Sequence, residues 1–277
     1  MDQKATRNVS VQHYLASEMT PNLVQEVETL VHEIDGNLPH NHVKNNHINK
    51  PNGEFYLIRI GEELVGVVSY STTWAKELDT NKKILVSFGE LSYRKSRKEI
   101  KNIVRRISIK HLKNHLGPMW MFKTFVAVGI TVNPRVFTQF NSFFPVLYPE
   151  VQAAPPSSIR SFLTELVHEH YGTPMDICKG LASDANSIFS SATNVTENFS
   201  KFYKTKDTEI TDYFFKHNIF QKDGDQVLLT NKAVVLMGYY SAAAMAKRVL
   251  GLKPKTPQLA CIMPEFCPLP QYAMATI

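Results

Sequence analysis

Apolar positions along the chain recur with two periods, and the switches between them mark out an ordered series of strands and helices. Val9 to Leu15 alternates in the manner of an edge strand. Thr20 then caps a helix with Pro21 at its first position, and Leu23, Val24, Val27, Leu30, Val31 and Ile34 follow at helical spacing until Gly36. Asn37 to Gly53 is polar, rich in Asn and His, and predicts a surface loop. Two strands, Glu54 to Ile60 and Leu64 to Tyr70, flank a three-residue hairpin connection, Gly61 to Glu63. A polar stretch through Lys83 leads to a third strand, Ile84 to Ser92, with Gly89 placed for a bulge. Ser96 opens a long helix with Glu99 completing a capping box and Ile100, Ile103, Val104, Ile107 and Leu112 as its stripe. Gly117 and Pro118 stop it. Phe122 to Ile130 is almost continuously apolar, as a strand buried on both faces is, and Asn133-Pro134 starts a helix through about Phe144.

The Pro- and Ser-containing stretch from Ala153 to Ser158 is the clearest boundary signal. It divides a first domain, 1–152, from a helical and mixed domain, 153–252, and a proline-rich extended tail, 253–277. The second part offers a helix from Ile159 to His170, a long polar stretch from Ser183 to Asp212, and apolar runs at Gln226 to Thr230 and Ala233 to Met237. Composition leaves this picture unchanged: 43% hydrophobic and 20% charged residues in 277 describe an ordinary globular protein. No apolar run nears the roughly 20 residues of a membrane span. Charges at Asp2, Lys4 and Arg7 argue against a secretory leader, and three scattered cysteines make no disulfide framework, so a cytoplasmic location is expected. The net charge of +6 is concentrated, with Arg94, Lys95, Arg97, Lys98, Lys101, Arg105, Arg106, Lys110 and Lys113 set against Glu99 alone. Such a stripe suits phosphate or an acidic partner.

Strand, helix, loop, hairpin, strand, long helix, buried strand and helix over residues 9–145 resemble the Gcn5-related N-acetyltransferase (GNAT) fold. The resemblance implies a mixed, mostly antiparallel central sheet flanked by helices, with a C-terminal mixed extension. It also implies transfer of an acyl group from acyl-CoA (acetyl-CoA), or from an acidic acyl carrier protein, to a small-molecule or peptide amine. In that family a glycine-bearing turn and the following helix start hold the pyrophosphate of the coenzyme, because free N–H groups and the helix dipole favour anions there. The matching stretch here is Ser92 to Lys101, so Arg94, Lys95, Ser96, Arg97 and Lys98 become the phosphate-holding residues, without the family's glycines. Asn133 matches the opening of the second family motif, at the cofactor side, but the motif's tyrosine position holds Phe140, which has no proton to give. Tyr148 is then the stand-in acid, and Glu90, near the end of its strand, the general base.

Other readings stay open beside this one. The missing glycines, the capping-box carboxylate and Phe140 fit a GNAT-like module that binds without catalysing, and the basic helix fits a nucleic-acid-associated protein, although no recognition motif accompanies it. His40, His42 and His47 lie on the polar loop with no carboxylate near them in sequence, so no metal is expected. His111 and His115 have the i,i+4 spacing of zinc ligands, yet their place near a helix C-terminus predicts capping.

Overall fold

The computed structural model describes residues 9–34, 41–50, 52–94, 100–151, 153, 155–171, 175–176, 181–182 and 193–261. Strands β1 (Val9–Leu15), β2 (Gly53–Ile60), β3 (Glu63–Glu77) and β4 (Lys82–Tyr93) form an antiparallel meander, with α1 (Pro21–Ile34) crossing between β1 and β2. The hairpin between β2 and β3 uses two residues rather than three, and Gly61 supplies the positive φ of 62° that such a tight turn demands. β3 runs past its expected end at Tyr70, because Thr72, Thr73 and Trp74 pair with Ser87, Val86 and Leu85 of β4. β-branched and aromatic side chains sustain a pleated surface even where polarity suggests a loop.

After α2 (Ile100–Leu116), strand β5 (Phe125–Thr131) enters parallel to β4, in register from Leu85 opposite Phe125 to Phe88 opposite Val128. It begins later than its apolar run, since Trp120 to Phe122 form a 3₁₀ turn. Then come α3 (Pro134–Phe143), β6 (Val146–Tyr148), α4 (Ser157–Tyr171), and the short β7 (Met175–Asp176) and β8 (Leu181–Ala182). β9 (Thr193–Asn194), α5 (Thr196–Asn198), α6 (Thr208–Lys216), β10 (Phe220–Asp223) and β11 (Gln226–Leu229) follow, with β10, β11 and β9 forming a separate three-stranded sheet.

The chain then returns to the main sheet. β12 (Ala233–Tyr240) lies antiparallel to β5 along its whole length, from Val234 opposite Thr131 to Tyr240 opposite Phe125. The boundary expected at 152/153 therefore does not separate two sheets. α7 (Ala242–Val249) follows, and β13 (Leu259–Cys261) pairs with Ala75 to Glu77 of β3, so part of the expected tail is a strand. Residues 262–277 lie outside the described residues. The result is a mixed sheet of ten strands among the described residues, antiparallel except at β4 and β5.

Alternation divides this sheet into two faces. Phe55, Leu57, Val86 and Phe88 pack with Val27, Leu30 and Val31 of α1 and Ile159, Phe162 and Leu166 of α4. Tyr56, Ile58, Val65 and Val68 pack with Ile100 and Ile107 of α2. Leu85 and Phe125 continue that second face toward Leu112, Trp120 and Phe144.

Gly238 in β12 is required by this packing, since a Cβ there would fall inside contact distance of the buried Phe144 ring. We expect Gly238→Ala to destabilise the protein by about 1–3 kcal/mol through overpacking. In a Phe144→Leu background the same change should cost less than half as much, as read by urea unfolding midpoints; equal costs in both backgrounds would refute the contact.

Candidate active site at the parting of β4 and β5

The last registered pair of β4 and β5 is Phe88 with Val128, and the strands separate beyond it. Glu90 lies two residues further along β4. Its face is settled by the pairing with β3, which runs unbroken from Gly66 opposite Tyr93 to Glu77 opposite Lys82. The bulge expected at Gly89 is absent; the register shift falls instead between Ile58 and Arg59, opposite β3. Gly89 has a packing reason, because a Cβ there would approach the Tyr70 ring to 3.1 Å. With alternation intact, Glu90 shares the α1 side of the sheet with Val86, Phe88 and Ser92, and it lines a recess with Val27, Val31, Val43, Phe55 and Ser69.

The segment expected to be a surface loop turns inward to meet it. Val43 is buried, and the Lys44 backbone N–H donates to Oε1 of Glu28, itself buried on α1, at 3.2 Å. A π-helical turn, Lys44–Ile48, then carries His47 to the same carboxylate as His42. His42 Nε2 lies 3.2 and 3.1 Å from the two Glu90 oxygens, and His47 Nε2 lies 2.5 Å from Oε2. Ser69 Oγ sits 3.0 Å from His47 Nδ1 and fixes the ring from behind. The side chains of His42 and His47 are 2% and 12% exposed against 33% for Glu90, so the carboxylate is the face that the cluster shows to solvent. Burial pushes the Glu90 carboxyl up, but the charges and hydrogen bonds of His47 and His42 outweigh it and hold the group well below the usual carboxylate range. The two imidazoles hold the carboxylate ionised and in one orientation.

His170 of α4 stacks on Phe88 with ring centroids 3.7 Å apart, and its carbonyl accepts from Lys50 Nζ. Burial, with the charges of Lys50 and His47, lowers its pKa to about 3. The two nitrogens and the oxygen of His42, His47 and Glu90 lie within 4.8 Å of one another, as do those of Glu54, His111 and His115 on the opposite face, so either set has a spacing a metal ion could use. The carboxylates that sequence proximity could not supply come from β4 and β2. His111 and His115 accordingly do more than cap α2, since His115 Nε2 reaches Glu54 Oε1 at 2.5 Å.

The other expected site residues are dispersed. Arg94 follows β4, its guanidinium paired to Glu33, at 2.6 Å, and to Glu63, rather than open to a phosphate. Lys95, Ser96, Arg97 and Lys98 lie outside the described residues, as does the capping-box Glu99. Asn133 caps α3, its side chain accepting from the Arg135 N–H at 3.0 Å. Tyr148 is buried on β6, its hydroxyl donating to Thr256 Oγ1 at 3.2 Å, and among the described residues no bond joins it to Glu90. Ser69, Glu54 and His13 carry no sequence motif; the pairings of β1 with β2 and of β2 with β3 place them, and His170 arrives by the packing of α4 on Phe88.

Meander, long helix and a mixed, mostly antiparallel sheet are the arrangement the resemblance implied over residues 9–145, and β12 adds a strand beside β5 that it did not. The fold is GNAT-like. No protein-family model matches the chain, and no curated protein sequence does. Among solved structures, Escherichia coli ElaA is similar at 12% identity and a TM-score of 0.38, over 54% of this chain and 94% of that one. A probable N-acyltransferase from Enterococcus faecalis V583 is 11% identical with a TM-score of 0.34, over 48% of this chain and 32% of that one. Arabidopsis thaliana NAA60, solved in complex with acetyl-CoA, is 11% identical with a TM-score of 0.35, over 48% and 82%.

A buried, neutral His170 has a signed consequence for stability. Its folded pKa of about 3 lies below the ordinary 6.5, so between these values the unfolded chain binds a proton that the folded chain refuses. Stability therefore falls as pH drops through that window. We expect His170→Phe, which keeps the stack on Phe88, to gain on the native protein steadily as pH falls from about 6.5 toward 4. A midpoint difference independent of pH would rule this out.

Proposed function

We propose that the protein is an N-acyltransferase of GNAT-like architecture, moving an acyl group from an acyl-CoA or acyl-carrier thioester to an amine held at Glu90. The observation that carries this reading is the position of Glu90, just past the point where β4 and β5 part, with two imidazoles donating to it. An amine arrives as an ammonium and must lose a proton before it attacks a thioester. The Glu90 carboxylate attracts the cation and accepts its proton, directly or through water, while His42 and His47 keep that carboxylate in one orientation. A carboxyl of such low basicity is a strong anchor and a modest base, so orientation contributes more than proton affinity.

A second reading is favoured by specific residues. Arg94 is committed to Glu33 and Glu63, and Phe140 occupies the position where the family's tyrosine would protonate a leaving thiolate. These support a GNAT-like module that binds a thioester or an amine without turning it over. Tyr148 and the basic residues from Lys95 to Lys98 remain the candidates for acid and phosphate contacts in the catalytic version, and an acidic carrier protein would lean least on a glycine turn.

The two readings separate in one set of measurements. Acetyl-CoA at a hundred times its dissociation constant should stabilise the folded protein by about 2.7 kcal/mol, read as a rise in Tm. Thiol release from acetyl-CoA should then depend on added primary amine, with spermidine and a short peptide as probes. Glu90→Gln should lower that rate by about 10²-fold or more while leaving the acetyl-CoA shift in place. A thermal shift without amine-dependent thiol release supports the binding module, and neither effect at millimolar acetyl-CoA defeats the coenzyme A assignment.

A further inference from the structure

On the α2 side of the sheet, away from Glu90, a buried carboxylate is surrounded by three imidazoles from two elements. Glu54 at the start of β2 is 6% exposed. Its Oε1 faces His115 Nε2 at 2.5 Å and His111 Nδ1 at 3.6 Å, both from one face of α2. Its Oε2 takes the His13 Nε2 contact from β1 at 3.0 Å and the Tyr56 hydroxyl at 3.0 Å. We propose that Glu54, His111 and His115, with His13 beside them, bind a divalent transition-metal ion, zinc first.

Three observations carry this. The first is spacing. Nitrogen and oxygen ligands about 2.0–2.1 Å from a tetrahedral ion stand about 3.3 Å apart, and the separations from Glu54 to the three imidazoles bracket that value. The second is an orphan. His111 is 1% exposed, yet its Nδ1 has no hydrogen-bond partner among the described residues, while pointing at a carboxylate oxygen. In the tautomer that donates Nε2–H to Ser87 Oγ, at 3.1 Å, Nδ1 aims a lone pair at an anion; a cation between them resolves the clash. The third is support and access. Tyr70 stacks on His111 at 3.9 Å and Tyr56 on His13 at 4.5 Å, fixing both rings, whereas His13 and His115 keep side chains 33% and 16% exposed, which leaves an entry path.

Donor chemistry agrees with geometry. One carboxylate and neutral imidazoles form a donor set suited to zinc, cobalt or iron rather than to calcium or magnesium.

Chelator-treated, desalted full-length protein titrated with CoCl2 tests the proposal, with visible d–d absorption as the readout and ZnCl2 as competitor. Wild type should develop bands that zinc abolishes, and Ser87→Ala should bind cobalt about tenfold more weakly by loosening the His111 ring. His115→Gln and Glu54→Gln should lose the bands, whereas a His42→Gln/His47→Gln variant should keep them. Bands absent in wild type would overturn the site even if every variant misfolded. Bands surviving in folded Glu54→Gln but lost from His42→Gln/His47→Gln would overturn it by placing the ion at Glu90.

Discussion

The antiparallel register of β3 against β4 is the constraint on which the rest of the molecule depends. It runs without a slip from Gly66 and Tyr93 to Glu77 and Lys82. Because side chains alternate with period two, a shift by one residue would exchange the two faces of β4. Glu90 would then point toward α2, and Ser87 would no longer reach His111. One ladder of backbone hydrogen bonds thus sets the face of Glu90 and brings Ser87 to the His111 ring of the second cluster, while the pairing of β2 with β3 places Glu54. The long β3 makes this possible, since a strand ending at Tyr70 could not hold β4 through Leu85, where β5 joins it.

Each cluster meets the cost of a buried charge in the same way, by drawing in histidines from elements that are not neighbours in sequence. At Glu90 the imidazoles come from the turn after α1; at Glu54 they come from β1 and α2. A buried carboxylate is tolerated when its lone pairs are matched by donors, and imidazole supplies them while remaining able to change its proton count. The clusters differ in exposure. Glu90 opens onto the parting of the strands, whereas Glu54 lies beneath its rings. That difference leaves one carboxylate facing a recess and the other enclosed by its neighbours.

Local physics made much of this legible in the sequence. The α1 stripe with Thr20 and Pro21, the strands at 9–15 and 54–60, and the Asn133-Pro134 helix start are decided by periodicity and capping, which neighbouring residues determine. The extension of β3 through Thr73 and Trp74 was not legible, because its polar residues satisfy the ladder only when β4 lies beside them. Glu90 was identifiable as a strand carboxylate, but its face depended on a bulge at Gly89 that the Tyr70 ring makes unnecessary. His42 and His47 looked like loop histidines because their partner lies more than forty residues away. The return of β12 was hidden for the same reason: an apolar run announces burial but not the strand it will join.

The placement of β12 and β13 bears on how the molecule assembles during synthesis. The second edge of β5 is covered by Val234 to Tyr240, and the edge of β3 at Ala75 to Glu77 by Leu259 to Cys261. A ribosome-bound chain that has released only α3 therefore lacks the partners of both edges, each a template for pairing with another chain. Tyr239 donating to Glu77 at 2.6 Å and Lys255 reaching Asp79 at 2.6 Å bring both late arrivals to the same end of β3. The stretch from Lys255 to Cys261 acts as the clasp that closes this edge of a sheet begun more than 200 residues earlier.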